Sequence, residues 1–200
     1  MTRWKLFGAL CALIVLTTAI SYAIAPAPVQ SLQYSVRATA RSSFVVFLAA
    51  FTASSMAKLI PATLTRFLLR ERRYIGLSFA FSHFLHAVLL ILYVRIAPEA
   101  FWVGRTPASN IPGFVGYALI LLLAITSFKA PAGVIGLANW KRLHWIGVWG
   151  IAIIFAASFL SRIPHHAGYA VPGAIMIAAM ALRVTARFLK RGRQTLHSQG

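Results

Sequence analysis

Six histidines carry most of the chemistry open to this chain: His83, His86, His144, His165, His166 and His197. His83 and His86 stand three residues apart within a long apolar run, so in a helix they project from nearly one face. A ring at that depth must find a partner, because an unpaired polar group in an apolar interior is penalised. His144 opens another apolar run, directly after Trp140, Lys141 and Arg142. Neutral imidazole is a strong ligand for haem iron, and helix bundles hold such groups between facing side chains. His86, His144 and His83 are therefore the candidate cofactor-binding residues, and His86 and His144 the candidate metal ligands. Each has a plainer reading beside this one. His83 and His86 would hydrogen-bond a neighbouring hydroxyl or carbonyl, and His144 would sit at the membrane interface. His165 and His166 are adjacent, do not share a helix face, and read as a wet loop; His197 lies in the tail.

Other chemistries are scarce. The only acids are Glu71 and Glu99, 28 residues apart, which excludes paired-carboxylate catalysis, and no catalytic residue is assigned. A single cysteine, Cys11, excludes an intrachain disulfide and any cysteine-built zinc or iron–sulfur site. No glycine-rich phosphate fingerprint is present, so a chain that moves electrons must take them from a quinol, a separate flavoprotein or a bound flavin. Met176 and Met180, four apart, are alternative axial ligands that read more simply as packing. Trp140, Trp145 and Trp149 suit an interfacial aromatic belt, with an electron relay or a quinone-stacking surface as the other reading.

The elements that must position these residues are helices in a bilayer. The 200 residues are 60% hydrophobic and 11% charged, with 20 Lys+Arg against 2 Asp+Glu and a formal net charge of +18. Soluble domains are nearer half apolar and a quarter charged. Basic residues shared out among long apolar runs weaken the nucleic-acid reading, so the expected partner is the lipid bilayer and not nucleic acid. The expected fold is all-α, an integral membrane six-helix bundle in one domain, with spans at about 6–25, 43–59, 74–94, 112–128, 143–160 and 168–184. Residues 187–200 form a short basic tail that frays at the headgroups. With the N-terminus inside, fifteen of the twenty basic residues fall in inner segments and Arg37, Arg41, Arg95, Arg105 and Arg162 in outer ones. That bias predicts both termini cytoplasmic in a multi-pass cell inner-membrane protein. Residues 1–28 also read as a secretory signal; a retained first helix is the expectation. The basic loop at 66–73 sets topology or docks an acidic cytoplasmic partner.

Three stretches carry a family likeness. Arg72-Arg73-Tyr74-Ile75-Gly76-Leu77, with His86 fourteen positions after Arg72, resembles the third helix of ferric-reductase-like transmembrane proteins. Leu123-Ala124-Ile125-Thr126-Ser127-Phe128 resembles the end of the family's fourth helix, and Trp140-Lys141-Arg142-Leu143-His144 the start of its fifth. The likeness covers roughly residues 40–160. It is nearest to the haem-binding membrane subunit of the methionine sulfoxide reductase system (MsrQ/YedZ-like). The resemblance implies haem b, transmembrane electron transfer from a quinol or flavin donor to an outer-side acceptor, and a role as the membrane subunit of an oxidoreductase. It carries His86 and His144 over as ligands; His83 matches none. Ala157 stands where the family carries a further histidine, and Arg72 where an inner-side partner of His144 would be. By depth, a bis-histidine haem needs the fifth helix to begin earlier, near Gly133. The alternative is a redox-inactive relative that serves as a membrane scaffold or assembly subunit. A small transporter is a weaker reading, since the spans lack carboxylates.

Overall fold

Proline and glycine punctuate the chain where helices must stop. The computed structural model describes residues 3–197. α1 (Arg3–Ala23) ends ahead of Pro26, and Pro28 opens α2 (Pro28–Leu59) where its missing N–H is not needed. Pro61 separates α2 from α3 (Thr63–Ile96). The start of α3 is fixed by Thr65, whose Oγ1 accepts the Ala62 N–H at 3.0 Å. A short α4 (Pro98–Trp102) and a 3₁₀ turn at Pro107–Asn110 lead into α5 (Ile111–Ile125). α6 (Lys129–Leu160) is broken at Gly136, where φ is +75° and ψ 157°. A second 3₁₀ turn at Ala167–Tyr169 precedes α7 (Ala170–His197).

The structure is 89% helical, with no strand among the described residues. Six of its helices, α1, α2, α3, α5, α6 and α7, are long and apolar enough to cross a membrane. Large apolar side chains face outward along them, among them Leu16 on α1, Val45 on α2, Phe84 on α3, Phe114 on α5, Ile153 on α6 and Ile177 on α7. A surface of that kind suits lipid and not water. The protein is a multi-pass membrane protein of the all-α class.

Three helices outrun the apolar spans that composition marks. α2 begins at Pro28, although residues 28–42 carry Gln, Arg and several hydroxyls. Its buried hydroxyls recur every fourth residue, at Ser31, Ser35, Thr39 and Ser43, so the polar stripe faces α3 and the bundle. The expected basic loop at 66–73 is instead the first turns of α3, because Pro61 ends α2 early and the Thr65 cap starts α3 before the arginines. Arg66, Arg70 and Arg73 stay exposed there, whereas Glu71 is buried. The core is aromatic: Phe44, Phe47 and Phe51 of α2 meet Phe79 of α3 and Phe155 and Phe159 of α6, with ring centroids 4.8–6.3 Å apart. Met176 and Met180 of α7 pack against this cluster, Met176 with no exposure at all.

Candidate functional site

His83 and His86 lie together on α3, with ring centroids 5.8 Å apart. The Thr39 hydroxyl of α2 directs its proton to the Ser35 and Val36 carbonyls, at 2.9 and 3.0 Å. Its oxygen is therefore the acceptor for His86 Nδ1–H, at 2.9 Å, and Nε2 keeps its lone pair. That tautomer is the one a metal-binding histidine adopts when its other nitrogen is held by a second residue. Rings fill the space nearby: His83 touches Phe79 at 4.7 Å, Tyr117 at 5.7 Å and Phe155 at 6.0 Å between centroids. His83 Nδ1 and the Tyr117 hydroxyl are buried without a hydrogen-bond partner.

His144 belongs to a different place. α6 resumes regular helix after Gly136, so His144 stands eight residues beyond the break. The Thr126 hydroxyl donates to the Leu122 carbonyl at 2.6 Å, so His144 Nε2–H donates to Thr126 Oγ1 at 3.1 Å. Nδ1 is then the ring's basic nitrogen. Trp140 stacks on the same imidazole at 4.4 Å and donates its indole N–H to the Thr126 carbonyl at 2.8 Å.

His144 lines a cavity of about 470 Å³ bounded by α2, α3, α5, α6 and α7. Arg72, Arg73, Lys141 and Arg183 line it too, and the rest of the wall is mostly apolar or aromatic. Arg183 is held across the bundle, donating from Nη1 to the Phe51 carbonyl at 2.7 Å with its guanidinium 4.5 Å over the Phe51 ring. Among the described residues the one ion pair is Arg70 with Glu71, at 2.8 Å, so the four cations of the cavity have no carboxylate of their own. The chamber suits a ligand with a flat or apolar body and acidic groups at one end.

The cavity runs along α3 from Arg72 to Phe79 and Ala80, six residues short of His86, and neither His83 nor His86 lines it, although His83 meets the far side of Phe79 at 4.7 Å. The structure thus brings His83 and His86 together, and of the three only His144 lines the cavity. Ala157 is exposed on the outside of α6, so that position does not face His86. Among the described residues no three His, Cys, Asp or Glu side chains gather closely enough to hold a metal ion. His165 and His166 are exposed in the loop before α7. Trp145 is half-exposed beneath Arg187 at 5.8 Å, and Trp149 meets Phe51 edge-on at 5.6 Å. Outside the spans, burial foremost, then the nearness of Arg162, draws the Arg105 guanidinium below its usual range, with Tyr93 opposing; Arg105 also covers Phe101 at 4.5 Å.

Sequence reasoning missed the hydroxyl partners Thr39 and Thr126, the cavity role of Arg183 and the burial of Glu71. Thr126 was within the quoted likeness, but nothing local pairs it with a ring eighteen residues on. Arg183 reads from sequence as a snorkelling end residue.

No family model matches the chain, and no curated protein or solved structure matches it.

Proposed function

We propose that the chain binds haem b in the cavity beside His144 and passes electrons across the membrane, as the resemblance to ferric-reductase-like proteins implies. One observation carries this reading: the three stretches of that resemblance converge on a single chamber. Arg72, Arg73 and Gly76 come from the first, Leu123, Ala124 and Ser127 from the second, Trp140, Lys141 and His144 from the third. The residues fit the group. The volume of about 470 Å³ lies within the usual range for ligand cavities, roughly 300–1,000 Å³. Four cations without carboxylates suit the two acidic side chains of a haem. His144 would hold the group through Nδ1, the ring nitrogen that Thr126 leaves free, and Phe47, Phe51, Phe79 and Ile151 make the wall apolar.

A bound haem would supply a one-electron carrier; the protein's part is to orient and insulate it. His144 would ligate the iron, Thr126 fixes the orientation of that ring, and Arg183, pinned to the Phe51 carbonyl, keeps one cation on the wall. The chain is then the membrane subunit of an oxidoreductase, fed by a quinol or by a flavin on a separate partner protein. In this reading both termini lie in the cytoplasm, because fifteen of twenty basic residues then fall inside, and the membrane proposed is the cell inner membrane.

The test is the visible spectrum of protein purified after expression with ample haem, with and without dithionite. A Soret band that survives His86→Ala and His83→Ala but is lost in His144→Ala supports the reading. A colourless wild-type protein ends it. A second reading, a redox-inactive membrane scaffold, is favoured by the fact that His86 and His144 each already bond a threonine hydroxyl. It predicts that His86→Ala and His144→Ala leave cellular function intact.

A further inference from the structure

We infer that the first turns of α6 cradle the headgroup of an acidic phospholipid, with Lys129 as the cation for its phosphate and Trp140 as the opposite wall. The cradle is a hollow of about 380 Å³ lined by Lys129, Ala132, Gly133, Gly136, Leu137 and Trp140. All of these come from one stretch of chain, so that stretch must bend to enclose the space. Gly136 supplies the bend through its φ of +75° and ψ of 157°. Three residues separate Thr126 from Lys129 and eleven separate Lys129 from Trp140, yet the Trp140 indole N–H is back on the Thr126 carbonyl at 2.8 Å. The segment 129–135 is therefore an excursion from the end of α5 that folds back into the rest of α6.

Two features keep the hollow open. A Cβ on Gly133 or Gly136 would meet nothing within 4 Å, so both glycines leave their side of it bare. Trp140 is fixed by its bond to Thr126 and by its stack on His144 at 4.4 Å, so its ring stands as a wall.

The surroundings select the occupant. Val134 is 87% exposed and Leu137 67%. Apolar side chains that exposed, beside a lysine and an indole, suit the boundary between headgroups and acyl chains. Lys129, with Lys141 and Arg142 exposed nearby in sequence, makes the place cationic. No acid competes for it. Arg73, from the first turns of α3, lies over Phe128 at 5.4 Å, so the hollow is at the end of the bundle where α3 begins. Glu71 at that end is paired with Arg70, and Glu99 follows the other end of α3. Basic pockets beside membrane helices take acidic headgroups. A phosphate that carries acyl chains satisfies Lys129 and the two apolar side chains together, whereas a free phosphate satisfies only the lysine. Trp140 alone is shared with the chamber beside His144, so the inference does not rest on the haem reading.

The experiment is native mass spectrometry of the purified full-length chain in an uncharged detergent, titrated with phosphatidylglycerol or with phosphatidylcholine of the same chains. Wild type is expected to retain a first phosphatidylglycerol at concentrations where phosphatidylcholine is not held. Lys129→Gln is expected to weaken that phosphatidylglycerol about fivefold, the usual share of one lysine near a membrane surface, and to leave phosphatidylcholine unchanged. Gly133→Leu fills the hollow with the charge intact and is expected to abolish the preference. Lys58→Gln, exposed in the last turn of α2 and outside the hollow, is expected to bind as wild type. Glycerol 3-phosphate, a phosphate without chains, is expected not to displace the lipid. Elution of each variant is compared with wild type; Lys129→Gln changes an exposed side chain and keeps the test decisive where Gly133→Leu fails to fold. Equal retention of the two lipids by wild type overturns the inference, as does undiminished phosphatidylglycerol in Lys129→Gln or in folded Gly133→Leu. An equal loss in Lys58→Gln assigns the effect to diffuse charge, and displacement by glycerol 3-phosphate assigns the hollow to a soluble ligand; either result also overturns it.

Discussion

At the scale of single residues, the threonines decide what the histidines can do. Thr126 fixes His144 beside the cavity, and Thr39 fixes His86 on the α2–α3 interface, 47 residues away in sequence. Removing a residue that orients a metal-binding histidine typically weakens the site about 10–100-fold. Thr126→Val is therefore expected to lower haem affinity by that factor in a haem titration, while Thr39→Val leaves it unchanged. Equal losses in the two variants would contradict a site built on His144. The histidines were legible because imidazole in an apolar run is rare and chemically specific. Their partners were not, since a Ser or Thr in a membrane helix bonds its own backbone four residues back whether or not it also meets a ring. Glu71 was hidden by its company: four arginines between residues 66 and 73 read as a solvated charge run.

At the scale of elements, the approach of α5 and α6 fixes the cavity wall, and two glycines allow it. A Cβ on Gly147 would meet Leu123 Cδ2 at 2.9 Å, and one on Gly150 would meet Leu119 Cδ1 at 2.8 Å. An alanine there asks only that a leucine tip turn, but a branched side chain forces the helices apart. Gly147→Ile is expected to cost about 1–3 kcal/mol, read as a lower melting temperature in detergent. Gly136 acts differently. Nothing lies within 4 Å of the Cβ it lacks, yet its φ of +75° with ψ of 157° is a conformation nearly confined to glycine. Gly136→Ala is expected to destabilise by about 1–3 kcal/mol through backbone strain alone, or to straighten α6 and shift Trp140. Tryptophan emission that stays at the wild-type maximum, together with an unchanged melting point, would rule out both. The small residues of α6 were visible in the sequence as a means of close packing. The break at Gly136 was not, because one glycine in a helical pattern signals a kink only once its φ is known. The long N-terminal part of α2 was missed for a related reason: hydropathy averages a polar stripe with its neighbours, whereas a period of four residues at Ser31, Ser35, Thr39 and Ser43 keeps the helix amphipathic.

At the scale of the whole molecule, charge sets direction. Six candidate spans, if all cross, put both ends on one side, and the proposed topology then divides the basic residues fifteen against five. The cluster at Arg66, Arg70, Arg72 and Arg73 outweighs Arg105 and Arg162 at the opposite end, and basic residues resist translocation. In the proposed orientation the cavity's arginines at the start of α3, Arg72 and Arg73, face the cytoplasm, the side of the proposed electron donor. The proposed electron path depends on that direction, which can be measured without it. With Cys11 replaced by serine, a cysteine at exposed Ser109, before α5, and one at exposed Ala130, at the start of α6, report the two faces. In intact cells a membrane-impermeant maleimide is expected to label Ser109→Cys and to spare Ala130→Cys until the cells are broken. The opposite pattern would turn the bundle over, setting the cavity and Glu71 against the outer medium and leaving an intracellular donor on the wrong side.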